Sequence, residues 1–128
     1  MLEALHWLGF AHMDVKPGNV LSAHRPRGCV AGPVFKLADF GLACRADGSW
    51  PVEEGDRRYC AREVIAGARG HLPAGDVFSL GVMLWELAAA AAAPDDGVTH
   101  DALRDGTAAM PSGLSAAFRT QLQVRASG

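Results

Sequence analysis

The sequence lacks a marked excess of charge of either sign. Its 128 residues include 12 Lys and Arg against 14 Asp and Glu, for a formal net charge of −2. Because nucleic-acid-binding domains carry a strongly basic face, no nucleic-acid partner is expected. Apolar residues make up 49% and charged residues 20% of the chain. This balance is typical of a folded globular protein, and at this length we expect one domain at most.

Cysteine is scarce, and the three cysteines (Cys29, Cys44 and Cys60) lack the spacing of metal ligands. We therefore expect free thiols, as in a reducing compartment. The first eight residues contain an acid and no basic stretch, so no signal peptide is predicted. The histidines that show no mutual metal spacing are expected to be solvated; they are His6, His24, His71 and His100.

An uninterrupted apolar run of membrane-spanning length is also missing. The longest run, Val77 to Ala93, contains Glu86 and follows Asp76, and polar residues at membrane depth are costly. A buried helix is the better interpretation, so no membrane segment is predicted. In this interpretation Asp76 is the N-cap and Pro94 ends the helix. Its predicted core residues are Met83 and Trp85.

The remaining pattern predicts a mainly α chain with a short β-hairpin. Val20-Leu21 and Val34–Leu37 resemble two short strands, joined by an exposed link over residues 22–33. Residues 42–60 show little periodicity and are predicted to form a surface loop. Further helices are predicted to end at Gly9 and to cover residues 61–66, 99–104 and 114–124.

Two short segments carry the residue types that phosphoryl transfer from ATP requires. Asp14, Lys16 and Asn19 lie at fixed spacing in one loop, and Asp39 stands directly before Phe40-Gly41. The reaction needs a group to orient the attacking hydroxyl, a cation near the transferred phosphate and oxygen ligands for magnesium. Each residue alone would be an ordinary turn residue. Together and in register, they favour the functional interpretation.

Four motifs in order are similar to those of the eukaryotic protein kinases, and they extend over nearly the whole chain. They are His12–Asn19, Asp39–Gly41, Ala61–Glu63 and Asp76–Leu87, the first with Met13 where the kinase pattern has Arg. The resemblance implies a C-lobe of the protein kinase fold without its N-lobe. Residues 1–128 would then be a partial kinase domain, with catalytic loop 12–19, DFG motif 39–41, activation segment 39–63 and central helix 76–93.

The resemblance also assigns roles to individual residues. Asp14 matches the catalytic aspartate that orients the substrate hydroxyl, and Lys16 would neutralise charge on the transferred phosphoryl group. Asn19 and Asp39 match the two Mg²⁺ ligands, and Leu21 matches the apolar floor beneath adenine. ATP and Mg²⁺ are therefore the expected cofactors, bound by Lys16, Asn19, Leu21 and Asp39.

Three other residues match structural positions of the kinase fold. His12 is expected to pack and form hydrogen bonds in the core and not to transfer protons, and Phe40 is expected to be a packing residue. Asp76 matches an aspartate that binds the backbone of the catalytic loop. For Asp76 this role and a plain helix cap remain open.

Two departures from the general kinase pattern narrow the resemblance to Wee/Myt-type kinases. Met13 removes the Arg that pairs with a phosphorylated activation loop, and residues 53–59 resemble a Glu-Gly-Asp-x-Arg-aromatic signature. Such kinases inhibit cyclin-dependent kinases, which makes one of these a possible protein substrate and leaves Tyr or Thr open as the acceptor. We hypothesise that Asp56 pairs with Lys16; the alternative is a solvated acidic stretch.

The motifs that hold the ATP phosphates in a complete kinase are missing. No Gly-rich loop and no Val-Ala-Ile-Lys strand precede His12, so we expect the isolated chain to be nearly inactive. A non-catalytic C-lobe or pseudokinase-like binding module is the alternative function. A small-molecule phosphotransferase shares the metal-site logic, but residues 59–63 favour a protein substrate. The resemblance implies a nuclear or cytoplasmic location.

Overall fold

The computed structural model describes residues 1–23 and 32–120, which form short elements around one long helix. A 3-10 turn covers Pro17–Asn19, and residues 116–120 are helical. In chain order, the elements are α1 (Leu2–Trp7), β1 (Phe10–Ala11), β2 (Val20–Ala23), β3 (Val34–Leu37), β4 (Cys44–Arg45), α2 (Arg62–Ile65), α3 (Leu72–Ala89) and α4 (Gly97–Arg104).

The predicted hairpin is present. Strands β2 and β3 pair antiparallel, with Val20 opposite Leu37 and Ala23 opposite Val34, so β2 extends two residues beyond the prediction. The middle of the predicted exposed link, residues 24–31, lies outside the described residues, as do His24 and Cys29. The hairpin follows directly on Asn19 and leads directly to Ala38 and Asp39, and thus holds two predicted site segments side by side.

A second small sheet corrects the prediction of a continuous loop over residues 42–60. Strand β4 pairs antiparallel with β1, with Phe10 opposite Arg45 and Ala11 opposite Cys44. The pairing continues through the Ala46 N–H, which donates to the Gly9 carbonyl at 2.9 Å. Strands of two residues are too short to show an alternating pattern, which is why the sequence did not reveal them.

Helix α3 is displaced toward the N-terminus relative to the predicted helix at 77–93. It begins at Leu72 and ends at Ala89. Pro73 lies in its first turn, where the missing N–H removes no helical hydrogen bond. Ala90 adopts a left-handed conformation with φ of 49° and ends the helix. The helix therefore stops before Pro94, and the prediction that Asp76 is its N-cap is wrong.

Two buried clusters form the core. The first joins the small sheet to α2 and the start of α3, and the second joins the later turns of α3 to α4; Phe78 packs against both. Met83 is buried, and Trp85 packs against the second cluster while its Nε1 donates to the Ala109 carbonyl at 3.1 Å. The clusters are Ala11, Met13, Cys44, Ala61, Val64 and Leu72, and Tyr59, Val82, Met83, Ala93 and Leu103.

Close contact between α2 and α3 depends on a glycine. A Cβ placed on Gly75 would lie 2.9 Å from Cγ2 of Val64. Val64 belongs to the first cluster, so a side chain at position 75 would push the two helices apart. Cys44 and Cys60 are buried free thiols, as predicted, and burial raises the pKa of each.

Among the described residues, α3 alone is long and apolar enough to cross a membrane. That test uses length and composition only, and core helices of globular proteins pass it too. Asp76 lies inside α3 with 1% of its surface exposed, and its carboxylate is bound to the loop that follows β1. The structure thus gives α3 a packing role in the core.

Candidate active site

The segment between β1 and β2 forms a tight loop that carries the predicted site residues. Pro17 opens the 3-10 turn, and the Asn19 N–H donates to the Lys16 carbonyl at 3.0 Å. Met13, directly before Asp14, has a left-handed backbone with φ of 69° and a buried side chain. A non-glycine residue in this conformation costs about 1–3 kcal/mol and is maintained only by surrounding contacts.

Asp14, Lys16 and Asn19 are in direct contact. The Lys16 ammonium lies 2.8 Å from Oδ2 of Asp14. The Asn19 amide nitrogen donates to the same oxygen at 2.9 Å and to the Asp14 carbonyl at 2.8 Å. The structure therefore brings together three of the residues that the sequence singled out.

The second oxygen of the Asp14 carboxylate contacts the activation segment. The Asp56 backbone N–H donates to Asp14 Oδ1 at 3.1 Å. Burial raises the pKa of Asp14, but the hydrogen bond and charge of Lys16 and the donors from Asp56 and Asn19 outweigh it, so the pKa lies below its usual value. Asp14 is consequently an oriented, ionised carboxylate at neutral pH.

The buried carboxylate of Asp76 anchors this loop to α3. Asp76 Oδ2 accepts the His12 backbone N–H at 2.7 Å, and Oδ1 accepts that of Met13 at 2.8 Å. Of the two roles left open for Asp76, binding the catalytic loop is therefore correct. Because these N–H groups belong to the two residues before Asp14, Asp76 fixes the backbone orientation at Asp14.

His6 contributes to this anchor, which corrects the prediction that it is solvated. Its Nε2 lies 2.8 Å from Asp76 Oδ2, and because a carboxylate only accepts, the ring must donate. The two residues are 70 positions apart, and no sequence signal links them. Asp76 thus accepts three hydrogen bonds in a nearly water-free environment.

His12 has the structural role that was predicted. It is fully buried, and its Nε2 donates to the Ala38 carbonyl at 3.0 Å, while its Nδ1 lies 3.3 Å from the Asp14 backbone N–H. The ring also packs edge-on against Phe40, although Phe40 itself is half exposed. Both ring nitrogens are engaged, so His12 is not a proton acceptor for substrate.

Asp39 lies beside this cluster without touching Asp14. The Ala38 N–H donates to the Asn19 carbonyl at 2.8 Å, which places the following residue, Asp39, next to the end of the catalytic loop. Asp39 has a left-handed backbone with φ of 60°, and its Oδ1 accepts the Gly41 N–H at 3.1 Å. The contacts of the described residues do not join its carboxylate directly to Asn19.

The donor chemistry of Asn19 and Asp39 fits a magnesium ion. The Asn19 amide nitrogen is directed at Asp14, so its oxygen is the atom that can serve as a ligand. Asp39 supplies carboxylate oxygens, and Mg²⁺ typically takes only one or two protein carboxylates, with phosphate oxygens and water completing its shell. No group of three or more His, Cys, Asp or Glu among the described residues could hold a metal, in keeping with so sparse a ligand set.

The activation segment approaches the catalytic loop at Gly55. A Cβ at this position would overlap the Met13 carbonyl oxygen and lie 2.8 Å from Asp14 Oδ1. Only glycine permits the approach that lets the Asp56 N–H reach Asp14. Sequence reasoning noted Gly55 within a signature but missed this steric role.

The predicted pairing of Asp56 with Lys16 is wrong. Both oxygens of the Asp56 carboxylate bind Arg58, with Arg58 Nε at 2.9 Å from Oδ1 and Nη2 at 2.5 Å from Oδ2. The hydrogen bonds from Arg58 are the largest cause that lowers the pKa of Asp56. Asp56 binds Arg58, two residues away, because the guanidinium satisfies both carboxylate oxygens in a fork geometry. Lys16 is already paired with Asp14.

The end of the activation segment is attached to α3. The Tyr59 hydroxyl donates to Glu86 at 2.6 Å. Burial, together with this hydrogen bond and the charge of Glu86, raises the pKa of Tyr59 to about 12. The glutamate that interrupts the apolar run of α3 therefore has a partner, which sequence reasoning did not identify.

Leu21 lies on β2 opposite Lys36, and its side chain is 55% exposed. Phe35 on β3 is exposed to the same extent. Leu21 is paired with Lys36 and Phe35 with Ser22, so the two apolar side chains lie exposed on opposite faces of the hairpin. That environment is compatible with the predicted contact between Leu21 and a flat aromatic base.

Comparison with known protein families assigns most of the chain to one family. A family model described as "Protein kinase domain" matches residues 1–112. The match includes the catalytic-loop cluster, Asp39, the activation segment and helix α3. It ends eight residues after α4.

Individual relatives carry consistent names. A "Wee1-like protein kinase" of Oryza sativa subsp. japonica is 36% identical over 95% of this chain and 22% of its own length. The "Mitosis inhibitor protein kinase mik1" of Schizosaccharomyces pombe is 42% identical over 82% of this chain and 17% of its own length.

A third relative, from Drosophila melanogaster, is 39% identical over 82% of this chain and 19% of its own length; it is the "Membrane-associated tyrosine- and threonine-specific cdc2-inhibitory kinase". The chain spans about a fifth of the length of the curated relatives that it matches.

Proposed function

We propose that this chain, which belongs to the protein kinase domain family and is homologous to Wee1- and Mik1-type kinases, carries the catalytic loop of a kinase that transfers the γ-phosphate of ATP to a protein hydroxyl. The observation that carries the proposal is the Asp14–Lys16–Asn19 cluster, with the activation segment bound to the same carboxylate. The family match identifies the chain as a protein kinase by resemblance. The catalytic activity of this segment is the part that we propose.

Asp14 is the residue that would orient the substrate hydroxyl. Its carboxylate is ionised at neutral pH and held in place by three donors. An acceptor positioned in this way draws the hydroxyl into line with the phosphate, and positioning supplies most of the catalysis in this reaction class. Lys16, which now neutralises Asp14, would share its charge with the transferred phosphoryl group.

Asn19 and Asp39 are the residues that would hold Mg²⁺ with ATP. When bound, the ion neutralises charge on the phosphate oxygens. The Asn19 side-chain nitrogen donates to Asp14, which turns the Asn19 side-chain oxygen away from Asp14. The Gly41 N–H donates to one carboxylate oxygen of Asp39 and holds it in place. Leu21 would contact the adenine from the exposed side of the hairpin.

The substrate proposed here is a cyclin-dependent kinase, with Tyr or Thr as the acceptor. The name of the Drosophila relative, a tyrosine- and threonine-specific cdc2-inhibitory kinase, supports this assignment, and the name of the Schizosaccharomyces relative, a mitosis inhibitor, agrees with a role in the cell cycle. Asp56 and Arg58 contribute by shaping the activation segment next to Asp14 and not, as first expected, by binding Lys16. A nuclear or cytoplasmic location follows from the same proposal.

We assign these 128 residues to the C-lobe of a kinase domain. The support is the order of its motifs and the exposed Leu21 and Phe35 on the hairpin beside the catalytic loop. Without groups to hold the ATP phosphates, the 128-residue chain alone should show no measurable phosphorylation. Mg-ATP-dependent phosphorylation by the isolated chain, abolished by Asp14→Asn, would contradict this assignment.

A chimera tests the catalytic proposal. The matched segment of the Oryza relative is replaced by this chain, and phosphate transfer from Mg-ATP to a cyclin-dependent kinase is measured. The chimera should be active, and Asp14→Asn should reduce its rate on the order of 10³-fold because orientation and proton acceptance are lost. Asp47→Asn is the matched control, since Asp47 is an exposed loop residue. Equal rates for the Asp14→Asn and Asp47→Asn chimeras would contradict the proposal.

A non-catalytic binding module is the second candidate, favoured by the exposed apolar side chains of Leu21 and Phe35 on the two faces of the hairpin. Such a surface attracts a partner when it is large enough. The two functions differ in their dependence on Asp14. A binding module would keep its effect in cells after Asp14→Asn and lose it after Leu21→Ser with Phe35→Ser, whereas a kinase would lose it after Asp14→Asn.

A further inference from the structure

A pocket of about 430 Å³ lies where the activation segment, α2 and α4 meet. It is formed by residue 57 of the activation segment, the first and last residues of α2, and α4 with the residue that follows it. Its polar lining consists of Arg57, Arg62, His100, Asp101, Arg104 and Asp105. We refer to it below as the arginine pocket.

Arg104 is held rigidly in this pocket without an acidic partner. Its Nη1 donates to the His100 carbonyl at 3.0 Å, its Nη2 donates to the Arg57 carbonyl at 2.5 Å, and its guanidinium lies over the Phe78 ring. No ion pair among the described residues includes Arg104. Burial is the largest influence and lowers its pKa; the charges of Cys60 and Asp101 oppose this effect, and those of Arg62 and Arg57 add to it. Arg104 is thus a fixed cation that forms no ion pair among the described residues.

The lining as a whole is positive. Three arginines contribute +3 and two aspartates −2, which leaves +1 with His100 neutral. Asp105 is partly occupied, because its Oδ1 pairs with Arg62 at 2.7 Å. Arg57 and Arg62 are both exposed; Arg57 can turn toward a ligand, and Arg62 can do so by giving up its exposed ion pair with Asp105. Arginine forks match the oxygens of a phosphate group better than lysine does.

Two buried polar atoms in the lining have no partner. They are Nε2 of His100 and Nε of Arg104, and His100, predicted to be solvated, is in fact mostly buried. Buried polar atoms are nearly always satisfied, and those that are not commonly mark a missing ligand or water. Both atoms belong to side chains that line the same pocket.

The pocket lies next to the candidate active site along the chain. Arg57 directly follows Asp56, whose N–H binds the Asp14 carboxylate. A polypeptide that presents a hydroxyl to Asp14 can therefore place another of its side chains near Arg57. A site for a free ion would not need to lie close to Asp14 along the chain, whereas a site for a second side chain of the substrate polypeptide would.

We propose that the arginine pocket binds a phosphorylated side chain of a protein partner, through Arg57, Arg62 and Arg104. The site is separate from the one proposed for ATP and Mg²⁺. Binding can be measured without nucleotide, so the outcome does not depend on whether the chain catalyses phosphoryl transfer.

Fluorescence anisotropy with the full 128-residue chain tests the proposal. The probe is a labelled Ala-Gly peptide with one central phosphoserine, compared with twins that carry serine or glutamate. The phosphopeptide should bind about tenfold or more tightly than the serine twin, with the glutamate twin between them, because charge-assisted contacts scale with the anion's charge. Binding should weaken as salt is added.

Variants locate the binding. Arg57→Ala combined with Arg62→Ala should weaken phosphopeptide binding about tenfold, and both residues are exposed, so the fold should survive. Arg45→Ala is the control, a partly exposed arginine on β4 that pairs with Asp47 and lies over the Phe10 ring, outside the pocket lining. Asp105→Asn should strengthen binding, since it releases Arg62. The Arg104 Nε–H resonance should shift when the phosphopeptide is added.

Three results would overturn the proposal. The serine and phosphoserine peptides could bind equally, Arg45→Ala could weaken binding as much as the pocket variant does, or inorganic phosphate could bind in the pocket while the phosphopeptide does not. The last result would identify a site for a free anion and not for a protein partner.

Discussion

The catalytic loop and the arginine pocket both contact the activation segment, and their charges are balanced in different ways. At the catalytic loop the acidic groups are saturated: Asp14 binds Lys16, Asn19 and the Asp56 N–H, and Asp76 binds three donors. In the arginine pocket the cations outnumber the acids. In the first region the carboxylates of Asp14 and Asp76 already have their partners within the chain, whereas the second region is the one that we propose a ligand completes.

The largest effect is expected where the saturated network is most buried. Asp76→Ala should destabilise the chain by about 3–5 kcal/mol, because it leaves the His12 and Met13 N–H groups and His6 without their acceptor. Urea unfolding measures the effect. Asp95→Ala, at an exposed position, should change stability by less than about 0.5 kcal/mol. A small effect for Asp76→Ala would mean that the loop does not depend on its anchor.

The next effect concerns the point where the activation segment meets the catalytic loop. Gly55→Ala should cost about 1–3 kcal/mol, because its Cβ has no room beside Asp14 and the Met13 carbonyl. Gly18→Ala is the matched control within the same loop, since a Cβ there meets nothing within 4 Å. Thermal unfolding of both variants gives the comparison. Equal stabilities would show that the approach at Gly55 is looser than described.

The pH dependence of the catalytic loop follows from Asp14. Its pKa is depressed in the folded state, so its ionisation stabilises the fold above the unfolded-state pKa, and this contribution is lost as pH falls through the folded-state pKa. Lys16→Met should raise the pKa of Asp14, as read from its side-chain carboxyl resonance. Lys36→Met, on β3, should leave it unchanged. A pKa insensitive to Lys16 would remove the electrostatic basis of the cluster.

The smallest effect lies at the boundary of the two regions. A double-mutant cycle should show coupling between Asp56 and Arg58, which bind through two hydrogen bonds, and weaker coupling between Asp56 and Lys16. The pair is partly exposed, so solvent screening limits its contribution. Unfolding of the single and double variants supplies the data. Stronger coupling to Lys16 would restore the pairing that the sequence first suggested.

Local signals in the sequence predicted the hairpin, the catalytic loop and the burial of Met83. These features depend on residues near one another in the chain. The His6–Asp76 bond joins residues 70 positions apart, and strands β1 and β4 have only two residues each, so neither leaves a periodic pattern. Tertiary contacts decide such features.

Two predictions failed because residue type alone did not show contacts made within a few residues. The helix was expected to begin after Asp76, but Pro73 fits the first turn of α3, so the helix begins at Leu72. Asp56 was hypothesised to pair with Lys16, but Arg58, two residues away, satisfies both of its oxygens. In each case geometry within a few residues determined the outcome, which residue type alone could not.

The central claim is that Asn19 and Asp39 share one divalent-cation site beside Asp14. Paramagnetic broadening by Mn²⁺ with ATP, recorded on the amide resonances of the 128-residue chain, tests it most directly. The account predicts that broadening is strongest at Asn19, Asp39 and Gly41, and that Asp39→Asn removes it. Broadening that instead centres on the exposed Asp95 and Asp96, and survives Asp39→Asn, would contradict the account.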